Sequence, residues 1–297
     1  MNTVNASDKT ALLAVTLGNV FWGFSFLLIR VAQQHATTEV MLAIRFILAF
    51  LLLNLLMLVR GERVRFRGKK LGPILVLAIT QPLYFLFESY GILYTNSSIS
   101  GVALALVPVA SIFMGILFLR EWPTKRQALF CLLPIAGAIL ISMNGQALGI
   151  ASPFGLFCLL LACLTSAAYK TANRKSASEY SPSERTYVML LTCGVFYTVA
   201  ALIQQRGDLS AFLTPLREPG FLLPVLALCV FCSIGSNMLV NYAASRISLM
   251  TFSSFGAIST LCSMFAGVLF LREPMTWIMA LGAVLILVGV QQVARAK

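Results

Sequence analysis

The sequence predicts an all-α integral membrane protein of about ten transmembrane helices, arranged as two inverted five-helix repeats. Three observations predict this. First, the 297 residues are 59% hydrophobic and 11% charged, with a mean hydropathy of +0.89. Soluble domains carry roughly 45–50% apolar and about 25% charged residues. Second, the apolar residues gather into runs near the about 20 residues that cross a bilayer. Third, the word Gly115-Ile116-Leu117-Phe118-Leu119-Arg120-Glu121 returns as Gly267-Val268-Leu269-Phe270-Leu271-Arg272-Glu273. So few charges could not cover a soluble enzyme, and so many apolar residues exclude a disordered chain.

The runs are taken in order. The first, Ala11–Ala32, is too long for the core of a signal peptide and carries Asn19 and Arg30, so it reads as a spanning helix. Asn19, Trp22, Gly23 and Phe26 share one of its faces. The second, Glu39–Val59, holds Arg45 about six residues, or roughly 9 Å, from its outer end. The third, Leu71–Tyr94, repeats Gln81, Tyr84 and Glu88 at spacings of three and four, which puts them on one face. Pro82 bends it, and Tyr90 and Tyr94 suit an aromatic belt at its outer end. The fourth, Ser98–Leu119, contains Pro108. The fifth, Ala128–Met143, is short and nearly free of polar residues.

The sixth run, Pro153–Asn173, offers Thr165, Ser166 and Tyr169, with Lys170 near its end as a snorkelling side chain. The seventh is Thr186–Gln204. The eighth, Phe221–Ala244, carries Ser233, Asn237 and Asn241 along one face. Leu249–Leu271 and Met275–Val293 complete the ten. The fifth and tenth runs have little polarity to offer a hydrated path and are expected at the periphery. The connections are short, leaving no room for a soluble or nucleotide-binding domain. Function must lie within the membrane.

The net charge of +12 sits mostly between alternate runs. If the N-terminus is cytoplasmic, Lys9, the cluster Arg60–Lys70 and Arg120, Lys125, Arg126, Lys170, Arg174, Lys175, Arg185, Arg246, Arg295 and Lys297 all face inside. Only Arg30, Arg206, Arg217 and Arg272 fall outside. Both termini are therefore expected in the cytoplasm, and no nucleic-acid partner is needed to explain the charge. All seven cysteines lie in apolar runs. Cys229-x-x-Cys232 reads as a buried apolar pair rather than a redox or metal motif.

The repeated word divides the chain near Gly145–Ser152 into residues 1–147 and 148–297. An odd number of spans per half turns the second half upside down, so Arg120-Glu121 and Arg272-Glu273 are expected on opposite faces. Inverted halves are a plan of secondary transporters, with the substrate site near the midplane.

Phe21-Trp22-Gly23-Phe24-Ser25-Phe26, Arg45-Phe46 and the two Phe-Leu-Arg-Glu endings, with Pro108 in the fourth run, resemble the drug/metabolite transporter superfamily, of the ten-helix EamA type. The resemblance covers nearly the whole chain. Thr260 stands where the second half would match Pro108. The resemblance implies a secondary active transporter, with export expected, for small metabolites such as amino acids or related amphipathic compounds. It also implies alternating access around a central cavity, in a bacterial inner membrane.

A charge at the bilayer centre costs about 2.5–3.5 kcal/mol on insertion scales, so the intramembrane charges need a reason. Glu88 fits a carboxylate that binds a cationic group or carries a proton; a structural ion pair, with Arg45 at matching depth, is the alternative. The candidate cavity residues are thus Gln81, Tyr84, Glu88, Asn19, Trp22, Arg45, Ser233, Asn237 and Asn241. For any single Asn, interhelical hydrogen bonding competes with lining. The expected partners are a small-molecule substrate and membrane lipids, with protons a candidate coupling ion and a homodimer a candidate assembly. No cofactor, metal or enzymatic activity is expected, since no His-Glu-x-x-His, phosphate loop or Cys/His cluster occurs. The competing reading is an integral-membrane enzyme acting on a lipid-linked substrate, which would need a second catalytic group beside Glu88.

Overall fold

The computed structural model describes residues 8–94, 104, 106–143, 152–271 and 276–296. Arg272 and Glu273, the start of the fourth run, most of the junction between the halves, and the side chains of Phe26 and Arg30 lie outside the described residues. Every long element described is a helix.

The first span is Lys9–Ala32, started by Asp8, whose carboxylate accepts from the N–H groups of Thr10 and Ala11. This satisfies two of the donors that any helix start leaves open. The second and third are Thr38–Val59 and Leu71–Tyr94. The fourth runs through Val107–Met114 into a wide π turn, Gly115–Leu119. The fifth is broken at Cys131 into Lys125–Phe130 and Leu132–Met143. The sixth and seventh are Pro153–Ser176 and Pro182–Gln204. The eighth joins Pro219–Ala227, a π segment Leu228–Ser236, and Asn237–Ala244. The ninth is interrupted between Leu249–Ser254 and Ala257–Leu271, and the tenth is Trp277–Arg295. Eight of these rods are long and apolar enough to cross a membrane, and Val107–Leu119 is a shorter apolar helix. Leu51, Leu55, Phe157, Leu160, Leu223 and Leu281 are among the large apolar side chains left on the outer surface. Hydrocarbon is the solvent that such a surface requires.

Pairing between the halves is reciprocal. The third span packs most extensively on the sixth, the first on the eighth, the second on the seventh, and the fifth on the tenth. Exchanging each span for the one five places along maps this pattern onto itself, as a pseudo-two-fold axis requires. The fifth and tenth spans meet backbone to backbone. A Cβ on Gly137 would stand 2.4 Å from the Gly282 carbonyl oxygen, and one on Gly282 would stand 2.7 Å from that of Gly137.

The basic connections gather on one face, tied by contacts between the halves. Lys69 pairs with Glu184 at 2.7 Å, and the Arg65 N–H donates to the same carboxylate. Arg246 lies 3.6 Å from Asp8, and Gln127 donates to the Ala296 carbonyl. Arg120, in the left-handed region at φ 56°, ends the fourth span. The chain then turns so that Glu121 accepts from Arg174 at 3.1 Å and from the Leu249 N–H at 2.9 Å. The Arg-Glu of the first Phe-Leu-Arg-Glu word is thus a corner joining the fourth, sixth and ninth spans. On the opposite face the Ser152 N–H reaches the Tyr94 carbonyl, and His35 packs against Gly220. Tyr90 and Tyr94 stack there at 6.4 Å, both exposed, where a belt places them.

Candidate functional site

The polar interior is built around the π segment of the eighth span. An extra residue per turn widens the helix, a deviation common at functional positions, and it brings Cys229, Cys232, Ser233 and Ser236 to the buried side. Each meets a group from the first or second span. The Ser236 hydroxyl donates to the Gly18 carbonyl, the Cys232 thiol to that of Phe21, and the Cys229 thiol to that of Arg45. The Trp22 indole N–H donates back to the Cys232 carbonyl at 3.2 Å. Both thiols are free and buried, which accounts for Cys229-x-x-Cys232 without redox chemistry.

Arg45 is 4% exposed. Its Nε donates to Ser233 Oγ at 2.8 Å, and its guanidinium stands 5.4 Å from the Phe46 ring centroid. Among the described residues no carboxylate pairs with it and no protein acceptor takes its two terminal nitrogens. Asn237 donates to the Cys232 and Ser233 carbonyls, leaving its own Oδ1 buried without a donor. Asn19 donates back to the Val15 carbonyl at 2.7 Å.

On the third span Ile74, Leu77, Gln81 and Gly91 are buried, while Leu75, Ile79 and Tyr90 are exposed. Glu88 and Tyr84, both half-buried, share the helix face of the buried Gln81. The Tyr84 hydroxyl donates to Glu88 Oε1 at 2.7 Å. No basic side chain pairs with Glu88 among the described residues, so the ion pair with Arg45 that equal depth allowed is not formed. The Pro82 carbonyl accepts from the Tyr197 hydroxyl of the seventh span at 3.0 Å.

Two further cations enter the interior where sequence reasoning put them at the surface. Arg185 is fully buried, and its terminal nitrogens donate to the Asn173 carbonyl and Oδ1, the Asn241 carbonyl and Ser245 Oγ at 2.6–2.9 Å. Asn241 completes this network, accepting from Asn173 and donating to Thr186. Asn241 has no exposed surface and both ends of its amide are bonded, so it serves as a crosslink among the sixth, seventh and eighth spans and does not line a path. Lys170 lies on the inward stripe Leu159–Cys163–Ser166–Lys170 of the sixth span, whose first two members are buried and last two half-buried, turned from the exposed Phe157, Leu160 and Leu164. Its Nζ reaches toward Gly256 of the ninth span. The sixth span continues to Ser176, six residues beyond Lys170 and three beyond the hydropathy boundary at Asn173. Its polar last turn hid that extension.

The structure therefore brings Trp22, Arg45, Ser233 and Asn237 together, sets Gln81, Tyr84 and Glu88 on a separate stripe, and takes Asn241 out of both. Such an interior can hold charged groups of either sign. Among the described residues, no group of three or more His, Cys, Asp or Glu side chains could hold a metal ion. A groove of about 340 Å³ between the second and seventh spans is lined by Ile47, Phe50, Leu190, Leu191, Gly194, Val195, Thr198 and Val199, with no titratable side chain.

Comparison with known proteins matches residues 9–143 and 153–294, separately, to the EamA-like transporter family. The chain is 35% identical over 291 residues to the uncharacterized transporter YcxC of Bacillus subtilis (strain 168), covering 97% of this chain and 93% of that one. It is 24% identical to an uncharacterized transporter of Archaeoglobus fulgidus, covering 97% and 99%. It is 25% identical to the chloroplastic phosphoenolpyruvate/phosphate translocator 1 of Oryza sativa subsp. japonica, over 77% of this chain and 57% of that one. A crystal structure only 17% identical shares the fold, with a TM-score of 0.79 over 98% of this chain and 99% of that one.

Proposed function

The chain belongs to the EamA-like transporter family, and from that premise we propose that it is a secondary active exporter of small metabolites such as amino acids or related amphipathic compounds. One observation carries the reading: among the described residues Arg45 and Glu88 have no charged partner inside the spans, and the polar contact of Arg45 and others near it run between the halves. Arg45 to Ser233, Trp22 to Cys232 and Tyr197 to Pro82 each join a residue before 144 to one after 152. A cation such as Arg45 and a carboxylate such as Glu88, each free to take a partner, suit a compound carrying both charges. Movement of one half against the other would break and remake the bonds between them, which is how inverted repeats expose a site to each side in turn.

Residues 1–147 and 148–297 act in this reading as the two inverted halves, with both termini and the Lys69–Glu184 face in the cytoplasm of a bacterial inner membrane. Glu88 is the candidate proton carrier. The relative named for phosphoenolpyruvate and phosphate handles anions, which is compatible with a cationic interior. The enzymatic alternative is not favoured. Among the described residues Glu88 has only Tyr84 as a partner, and the apolar groove that could hold a lipid chain offers no catalytic group.

The test is an unbiased survey of metabolites in the medium of cells overproducing the chain. One or a few polar metabolites should accumulate outside, and Arg45→Met and Glu88→Gln, expressed to the same level, should reduce the accumulation at least tenfold. An unchanged medium together with a changed lipid profile would overturn the reading in favour of the enzyme.

A further inference from the structure

We propose that Lys170 is the centre of an oxyanion-binding subsite at the break in the ninth span, taking a carboxylate or phosphate group. The break lies between Leu249–Ser254 and Ala257–Leu271. There the helical bonds shorten to a spacing of three, from the Gly256 N–H to the Ser253 carbonyl and from the Ser259 N–H to the Gly256 carbonyl. Lys170 Nζ stands 3.5 Å from the point a Cβ on Gly256 would occupy. The absence of that side chain leaves room for the ammonium beside the interrupted backbone. Discontinuous helices at membrane depth are where transporters of this plan hold charged groups.

Two observations point to a ligand rather than to a structural cation. Lys170 makes no hydrogen bond and no ion pair among the described residues. The thiols of Cys163 and Cys131 lie within its electrostatic reach and are poor counter-ions when neutral. An unpaired ammonium within the spans is costly, and no described residue supplies a counter-charge to offset it. In addition, the Ser253 hydroxyl, 1% exposed, is buried without a partner. Its own carbonyl lies 3.1 Å from the same Gly256 point that Lys170 approaches. An unmet hydroxyl and an unmet ammonium beside one helix break suit the lone pairs of an oxyanion.

In sequence, the two halves carry different residue types at the equivalent place. The first and sixth spans are both 24 residues long, and matching them end to end sets Lys170 against Phe26. This inference rests on the transport reading only for the subsite's place along the path; anion binding requires no transport.

The test uses the purified full-length chain in a neutral maltoside detergent, with thermal unfolding followed at constant ionic strength in chloride, acetate or inorganic phosphate. Wild type should show a saturable rise in Tm with at least one oxyanion. A response to acetate alone marks a carboxylate site, and a response to phosphate alone marks a phosphate site. Lys170→Met should weaken the half-saturating concentration at least tenfold, and Lys170→Arg should retain most of the response. Without anion, Lys170→Met should melt at or above wild type, since an unpaired charge has been removed. No response of wild type to either oxyanion, or an equal response in Lys170→Met, would overturn the proposal. So would an anion-free Lys170→Met protein that melts well below wild type, which would make Lys170 a structural cation. A chain that moves no metabolite yet keeps the Lys170-dependent response would overturn the transport reading alone.

Discussion

Arg45 and Ser233 share one hydrogen bond, yet removing either partner should have unequal effects. Ser233→Ala deletes the acceptor of a charged donor, a loss of about 1.5–3 kcal/mol, and leaves the guanidinium in place with no protein partner among the described residues. Arg45→Met loses the same bond but also removes a buried cation whose placement near mid-membrane costs about 2.5–3.5 kcal/mol. The difference runs from about −0.5 to about 2 kcal/mol in favour of the variant. Met matches the length and flexibility of the arginine stem, so no large cavity follows. Equilibrium unfolding in mixed micelles, read by tryptophan fluorescence, should therefore rank Arg45→Met at or above wild type and Ser233→Ala below it. In the same preparations transport should be lost in Arg45→Met and only weakened in Ser233→Ala. An Arg45→Met protein destabilised by more than about 2 kcal/mol, beside a silent Ser233→Ala, would refute the reasoning and make Arg45 a structural residue.

Three further outcomes are expected. Glu121→Gln keeps a polar group at the Leu249 N–H but loses the charge pair with Arg174; it should speed labelling of a cysteine placed at Ser248 by water-soluble maleimide severalfold, and an unchanged rate would deny that this corner closes the basic face. Gly137→Val forces a side chain into the Gly282 backbone and should destabilise by about 1–3 kcal/mol in a thermal melt, while Gly72→Ala, with open space around it, should shift the melt little. Glu88→Gln should abolish the response of transport to an imposed proton gradient while leaving substrate exchange, whereas a response of wild-type size would remove Glu88 from the coupling step.

The spans were readable because hydrocarbon imposes a length of about 20 residues on any helix that crosses it. Glu88 and its Tyr84 partner were readable because a spacing of four fixes two side chains on one helix. What escaped was anything that depends on how two helices face each other. Depth alone allowed Arg45 to meet Glu88, but depth says nothing about azimuth, and Arg45 turns to Ser233 instead. Lys170 and Arg185 escaped for another reason. Hydropathy stops at the first polar turn, yet the sixth and seventh helices run on to Ser176 and back to Pro182. Those polar turns are buried against one another through Asn173, Asn241 and Ser245. The π widening of Leu228–Ser236 leaves no mark in the pattern of apolar residues, although it decides which side chains reach the first and second spans.

The central claim is gradient-driven movement of a small metabolite through the interface of the two halves. Purified chain in sealed proteoliposomes, given radiolabelled amino acids and other small polar metabolites with and without an imposed proton gradient, tests it most directly. The account predicts saturable accumulation of at least one compound that collapses when the gradient is dissipated and is lost in Arg45→Met. Orientation-independent leakage equal in wild type and Arg45→Met, or no accumulation of any compound by protein that is fully folded, would contradict it.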